Sequence, residues 1–473
     1  MMGGSCRSQL SLGARGRPRF FMHPILILII AVAAVFLLII RLKINAFAAL
    51  ISAAILIGLL APQVPIAEVV NEVAQRFGNI VGRIGIAIAM AAIVGHCLME
   101  SGAADRITRR FVTMFGEKYS SLSLVVSGYV LAVPVFSDTV FYLLIPLARA
   151  MSIRMGGRNY VLYALSIAAG GSTTHVFVPP TPGPLVMAAN LNIDLGIVIL
   201  VGLVVAVPVA FTCWLYALYI DHKLNIPIRE APGLPLAELE KVAMRPESDL
   251  PGFWISMAPI LLPVLLITAN TVANAIAEES PAARITQFLG DPNLALLLAA
   301  GVSLWLLARS KRLALQELSK SMEEAIKAAG VIILITAGGG AFGGMLVKAG
   351  LGDNLSDLAQ RWGVSLMVLG FVLAMLFKVA QGSATVGMIT VSAVLAPLIT
   401  ANPPPYHPVY ILMAIGGGSQ VGAWMNDSGF WVFQTMTGLN EIETFKTKSV
   451  MLGVLGVTGF LVSLLMSWLL PLT

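Results

Sequence analysis

Long apolar stretches recur along this 473-residue chain, and they constrain its fold more than any other feature. A helix needs about 20 apolar residues to cross a bilayer, and roughly ten to twelve segments of the sequence have this character. Hydrophobic residues make up 58% of the chain and charged residues only 11%, which excludes an ordinary soluble domain. The sequence therefore predicts an all-α polytopic membrane protein with roughly ten to twelve transmembrane helices.

The net charge of +6 comes mainly from basic residues in short loops between the apolar segments. Such loops lie on the cytoplasmic side of membrane proteins, so the charge indicates membrane topology and not nucleic-acid binding. The densest basic loop of the second half, residues 309–320, is predicted to be cytoplasmic. Cys6, Cys97 and Cys213 are far apart and indicate neither a disulfide framework nor a metal site. No cofactor and no metal are expected.

The chain divides into two apolar halves joined by a polar stretch. Residues 1–22 contain arginine, glycine and serine without apolar periodicity and are predicted to be an N-terminal tail. We assign residues 23–221 to a first transmembrane half, the charged and proline-containing residues 222–251 to a linker, and residues 252–473 to a second transmembrane half. The predicted spans lie at about 24–40, 45–61, 79–98, 122–147 (broken), 159–169, 195–220, 253–274, 292–308, 328–347, 364–380, 384–400, 409–424 and 449–470.

An internal repeat relates the two halves. Residues 98–107 (LMESGAADRI) align with residues 346–355 (LVKAGLGDNL) at a spacing of 248, and the Gly-Gly-Ser of 170–172 aligns with that of 417–419 at 247. Ordered matches at one spacing predict a duplication. Paired interrupted segments in the two halves of a transporter mark its binding site. We therefore predict two related halves, with an inverted arrangement favoured.

Four segments combine proline, glycine and hydroxyl side chains in apolar surroundings, and we predict that they interrupt helices: Pro134–Thr139, Gly170–Pro184, Gln381–Thr385 and Gly416–Gly429. Proline cannot continue an unbroken helix. In a lipid core, non-helical backbone occurs only where protein buries it or where it lines a watery cavity. The free N-terminal end of a helix also attracts carboxylates, because its N–H groups are unpaired and it carries a partial positive charge. Packing kinks between small residues are the alternative, but repeat-related positions favour a site built from broken or re-entrant helices.

Several polar residues in these segments are candidates for function. Asp138 lies in an apolar run, where a carboxylate is costly and usually functional; a desolvated carboxyl could carry a proton, whereas a position at the membrane edge is the alternative. His175 could exchange protons near neutral pH or be structural. Asn426 and Asp427 either cap a half-helix or bind ligand hydroxyls. Lys378 either holds a carboxylate or extends to the membrane interface.

Four motifs, in this order and spacing, resemble the gluconate permease family of the ion transporter superfamily: FVPPTPGP (177–184), GGGAFG (338–343), KVAQGSATVGM (378–388) and MNDSGFW (425–431). The resemblance extends over nearly the whole chain from about residue 24. It implies a multi-pass protein of a bacterial inner membrane that takes up gluconate, or a related sugar acid or hydroxy acid, with protons. Familiar gluconate carriers have a glutamate-containing segment where this chain has Asp138, so the identity of the acid stays open.

The resemblance also implies that a set of motif residues lies around the substrate: His175, Pro182, Gly183, Gln381, Ser383, Thr385, Asn426 and Asp427. The polar residues in or beside the interrupted segments add Ser172, Thr173 and Lys378. We assign substrate binding to Ser172, Thr173, His175, Pro182, Gly183, Lys378, Gln381, Ser383, Thr385 and Asn426. We assign proton coupling to Asp138, His175 and Asp427.

The resulting hypothesis is a proton-coupled, alternating-access transporter and not an enzyme. A sodium-coupled carrier of di- or tricarboxylates is one alternative, because backbone carbonyls with Asp427 and Asn426 could bind Na⁺. An integral membrane enzyme acting on a lipid through Asp138, His175 and Asp427 is a less favoured one, because clustered metal ligands and nucleophile–base spacings are absent from the sequence. The expected partners are an organic acid, protons and the bilayer, without nucleic acid, and homo-oligomerisation is left open.

Overall fold

The computed structural model describes residues 24–154, 156–157, 159–229, 250–277, 281–350, 365–425 and 427–472. Within these ranges every regular element is helical. The predicted tail and most of the predicted linker lie outside the described residues, so the domain boundaries stay a prediction.

The helices before residue 230 include nearly all of the spans predicted for the first half. They are α1 (Pro24–Phe36), α2 (Ala46–Leu60), α3 (Val69–Glu100), α4 (Ala103–Phe115), α5 (Ser120–Leu131), α6 (Ser137–Arg154), α7 (Tyr160–Phe177), α8 (Pro182–Leu191) and α9 (Leu195–Leu224).

The helices after residue 250 form the second half. They are α10 (Phe253–Ala277), α11 (Pro281–Leu289), α12 (Pro292–Lys311), α13 (Leu315–Lys348), α14 (Leu366–Gln381), α15 (Ala384–Ala401), α16 (Val409–Gly418), α17 (Ser428–Thr437), α18 (Glu441–Thr444) and α19 (Val450–Leu469). A π-helical turn at Phe445–Ser449 joins α18 to α19.

Eight helical stretches of the described chain are long and apolar enough to cross a membrane. Shorter apolar helices, among them Ala46–Leu60 and Val409–Gly418, accompany them. The predicted all-α polytopic membrane fold is confirmed. The helices α3 and α13 begin earlier than their predicted apolar spans, at Val69 and Leu315, and the start of α3 packs against the end of α13, where Glu72 pairs with Lys348.

The two halves are related by an inverted duplication. The helices α6 and α15 begin 247 residues apart, at Ser137 and Ala384, and α8 and α17 begin 246 apart, at Pro182 and Ser428. The equivalent helices α3 and α13 run antiparallel, because Lys348 at the end of α13 donates to Glu72 near the start of α3 at 3.2 Å. At the other end, His96 of α3 is hydrogen-bonded to Ser321 of α13 at 2.7 Å.

The interruption predicted over Gly170–Pro184 is much shorter in the structure. The helix α7 continues through both glycines to Phe177, and only residues 178–181 separate it from α8 within one crossing. Gly170 lies within the helix, and α5 packs so directly against it that a Cβ there would lie 2.0 Å from the Val125 carbonyl oxygen. At the break, the Thr181 hydroxyl approaches the carbonyl oxygens of His175 and Val178 at 2.9 and 2.7 Å and can donate to them.

Candidate functional site

The ends of the interrupted helices meet at a cavity of about 280 Å³, which we call the central cavity. Both halves of the duplication contribute to it. Its polar lining consists of Ser137, Asp138, Ser172, His175, Lys378, Ser383, Thr385, Gln420, Asp427, Ser428 and Lys448.

Three helices begin at this cavity: α6, α15 and α17. Ser383 caps α15 by accepting a hydrogen bond from the Val386 N–H at 3.3 Å. Asp427 caps α17 by accepting from the Gly429 N–H at 3.0 Å. Helix N-termini carry partial positive charge and further N–H donors, so the site is suited to an anion.

A buried ion pair links the two interrupted segments of the second half. The Lys378 ammonium, at the end of α14, donates to the Asp427 carboxylate at 2.8 Å and to the Gly382 carbonyl oxygen at 2.6 Å. The Lys378 and Asp427 side chains are only 3% and 14% exposed. Lys378 therefore lies inside the protein and does not extend to the membrane interface.

A second buried lysine, Lys448, also lines the cavity, and sequence reasoning missed it. Its ammonium donates to the Gly429 carbonyl oxygen at 2.5 Å and lies 5.5 Å from the centre of the Phe433 ring. A Cβ on Gly429 would be 3.1 Å from Lys448 Nζ and 3.1 Å from an Asp138 carboxylate oxygen. Because residue 429 is a glycine, a small gap remains between Asp138 of the first half and Lys448 of the second half.

His175 brings a polar atom without a partner into this group. It is buried near the end of α7, and its Nδ1 makes no hydrogen bond within the described residues. Its ring lies 5.7 Å from that of Phe136, which closes one side of the central cavity. The imidazole can therefore bond a ligand hydroxyl.

The charges in the central cavity balance. Lys378 and Lys448 face Asp138 and Asp427, and no other charged side chain of the described chain lines the cavity. A bound carboxylate would add one negative charge to this balanced site.

The structure separates three of the remaining predicted residues, Thr173, Pro182 and Gly183, from this cavity. The Thr173 hydroxyl donates to the Ala169 carbonyl oxygen within α7. Pro182 lines an adjacent, mostly apolar cavity of about 240 Å³. Gly183 is a packing position, because a Cβ there would lie 2.2 Å from Met388 Cε of α15. Asn426 and the side chain of Gln381 lie outside what the structure describes.

Asp138, Ser172, His175, Lys378, Ser383, Thr385 and Asp427 do line the central cavity together. Gln420 and Ser428 join them, although sequence reasoning named neither. Both lie within or beside the predicted Gly416–Gly429 interruption, which was a sufficient signal. In the described part of the chain, no group of three or more His, Cys, Asp or Glu side chains could hold a metal ion.

Comparison with known proteins places this chain in a family. The family model described as GntP family permease matches residues 23–469. The chain is 32% identical over 443 residues to a gluconate permease of Pseudomonas aeruginosa, which covers 93% of this chain and 96% of that protein. It is 31% identical over 451 residues to the inner membrane permease YgbN of Escherichia coli, covering 93% and 98%.

A solved structure has the same fold at low sequence similarity. The YdaH transporter of Alcanivorax borkumensis superposes with a TM-score of 0.62 at 14% identity, covering 95% of this chain and 100% of that one. This similarity concerns the fold alone.

Proposed function

Because the chain belongs to the GntP permease family, we propose that it takes up gluconate or a related sugar acid together with protons by alternating access. It is a multi-pass permease of the bacterial inner membrane and not an enzyme. The observation that carries the proposal is the central cavity, where two buried lysines and three helix N-termini surround a space lined by hydroxyl groups.

A sugar acid has one carboxylate and several hydroxyls, and the cavity offers groups of both kinds. Lys448 and the N-termini of α15 and α17 are suited to the carboxylate. Ser172, Thr385 and Gln420, together with His175 Nδ1, are suited to the hydroxyls. Lys378 is already bound to Asp427, so we assign it to holding the α17 cap and the α14–α15 break in place.

The charge balance supports proton coupling. An uncompensated charge is costly in a site enclosed by protein, because little water solvates it. One substrate carboxylate makes the balanced cavity negative, and one proton on Asp138 or His175 restores neutrality. Substrate and proton therefore stabilise each other in the loaded site, which is what symport requires.

Adjoining cavities offer a route to one side of the membrane. Phe136 lines both the central cavity and the apolar cavity of about 240 Å³. That apolar cavity shares His96, Glu100 and Glu324 with a polar cavity that also includes Lys311 and Lys320 of the basic loop. Since basic loops mark the cytoplasmic side, we propose that this route leads to the cytoplasm.

The test is uptake of labelled gluconate into proteoliposomes under an imposed pH gradient, in Na⁺ or in choline. The proposal expects uptake that depends on the pH gradient and is indifferent to Na⁺. Uptake abolished by choline would instead favour the sodium-coupled alternative. Accumulation against a gradient should be lost in Asp138→Asn or His175→Gln, and its persistence in both variants would exclude this assignment of the proton.

A further inference from the structure

A further cavity, of about 200 Å³, lies between α3, α8, α13 and α15, towards the opposite ends of α3 and α13 from the proposed cytoplasmic route. We call it the arginine groove. Arg76, Asn79 and Arg83 of α3 line it. They are spaced three and four residues apart, so they form one face of the helix.

The facing wall consists of small residues. Gly340, Gly343 and Gly344 of α13 and two alanines of α15 line the groove opposite α3. A Cβ on Gly344 would lie 2.8 Å from Arg76 Cδ and 2.9 Å from one of its terminal nitrogens. Gly344 therefore makes room for the aliphatic part and the guanidinium group of Arg76. The other small residues leave open space in the rest of the groove.

The groove has an excess of positive charge. Arg76 pairs with Glu72 at 3.3 Å, and the same carboxylate accepts a hydrogen bond from Lys348 at 3.2 Å. Arg83 donates to the neutral Asn192 side chain at 3.3 Å. Among the groups that line the groove or pair with its lining there are thus three cations and one carboxylate, and Arg83 has no acidic partner among them.

Two further observations point to a ligand. The Arg76 Nε is buried and makes no hydrogen bond in the described part of the chain. Arg83 is exposed and lies near the start of the apolar part of α3, residues 79–98, so its guanidinium is available to a ligand at this end of the helix. Guanidinium groups in a fixed fork bind oxyanions through paired hydrogen bonds.

We propose that the arginine groove binds an oxyanion, either the carboxylate of a soluble organic acid or the phosphate of an anionic lipid headgroup. The groove is separate from the central cavity, because Thr385 and Ala393 are eight residues apart on α15, which corresponds to about 12 Å along the helix. If the oxyanion is the transported acid, the groove is its first binding site on the outer side. That role, but not the binding itself, rests on the proposed function.

The binding is tested on the wild-type protein by modification of arginine with phenylglyoxal, read out for each arginine by peptide mass spectrometry. Gluconate, inorganic phosphate and mixed micelles containing phosphatidylglycerol are the three probes. We expect at least one of them to slow modification of Arg83 about threefold to fivefold. Arg110, which is exposed on α4, is the control and should react at an unchanged rate.

The outcomes distinguish the sources of the oxyanion. Protection by gluconate or phosphate identifies a soluble anion, and protection by phosphatidylglycerol alone identifies a lipid. Protection should persist in Gly429→Ala, which alters only the central cavity. Unchanged reactivity of Arg83 with all three probes would overturn the proposal, and this holds whether or not the protein transports gluconate.

Transport gives a second readout of the same site. In phosphatidylcholine proteoliposomes, a soluble-anion site predicts that Arg83→Gln raises the KM for gluconate about threefold to fivefold without changing the maximal rate. Arg83→Lys should retain most of the wild-type affinity. Lys327→Gln, which removes a charge from the exposed surface of α13, is the matched control. An equal change in Lys327→Gln would mean that only the net charge matters and would contradict a site at Arg83.

Discussion

Substitution of Gly429 by alanine tests the central cavity most directly. The new Cβ would lie 3.1 Å from Lys448 Nζ, 3.1 Å from an Asp138 oxygen and 3.5 Å from an Asp427 oxygen. It would crowd the space between Asp138 and Lys448, where a substrate hydroxyl could bond to both side chains. The backbone of Gly429 does not have a positive φ, so alanine fits its conformation.

The expected effect on binding follows from the bond that is lost. A hydrogen bond to a charged group contributes about 1.5–3 kcal/mol, and each 1.4 kcal/mol changes affinity about tenfold. We therefore expect Gly429→Ala to weaken substrate binding by about tenfold to a hundredfold. The stability of the fold should not fall, because alanine favours a helix over glycine by up to about 1 kcal/mol.

The assay is the KM for gluconate uptake, with thermal unfolding in detergent measured in parallel. Gly453→Ala is the matched control: it makes the same change in α19, where a Cβ would meet nothing within 4 Å. An unchanged KM in Gly429→Ala would show that no substrate oxygen binds between Asp138 and Lys448. A large loss of thermal stability would show instead that the residue is structural.

Three further substitutions separate function from folding. Lys448→Met should abolish uptake, because it removes a cation from the cavity, whereas the same change at the exposed Lys446 should leave uptake intact. Gly170→Ala should eliminate folded protein, measured by size-exclusion chromatography of the solubilised membrane, because the added Cβ would overlap the α5 backbone; normal yield would contradict this packing. Arg149→Met should lower the free energy of unfolding by about 3 kcal/mol or more, because fully buried Arg149 donates to the Tyr160 hydroxyl and to backbone carbonyls; an unchanged unfolding temperature would refute that estimate.

Much of the fold could be predicted because the bilayer imposes strong rules on sequence. Apolar runs gave most span boundaries to within a few residues, and the spacing near 247 identified the duplication. The short helices α8 and α17 were not predicted, because their first residues belong to proline- or glycine-containing segments typical of a loop. Gly170 was interpreted as a breaker of helix, although its role is to allow contact with α5.

The site was less predictable, because only the fold determines which polar side chains are buried and line the cavity. Lys446 and Lys448 are two residues apart at the start of an apolar run, and only the fold shows that one is exposed and the other faces the cavity. Motif membership was also an imperfect guide. Pro182 and Gly183 belong to the same conspicuous motif, yet neither lines the central cavity: Pro182 lines the adjacent apolar cavity, and Gly183 allows α8 to pack on α15.

The inverted duplication also has a consequence for the energetics of the transport cycle. If the two halves were identical, exchanging their conformations would produce an equally stable state facing the other side of the membrane. Any intrinsic preference between the two end states must therefore come from positions at which the halves differ. Asp138 corresponds to Thr385, and Thr181 corresponds to Asp427, so each half has an acid where the other has a hydroxyl. Under the proposed alternating-access cycle, these two pairs are among the positions that can set the resting direction of the carrier.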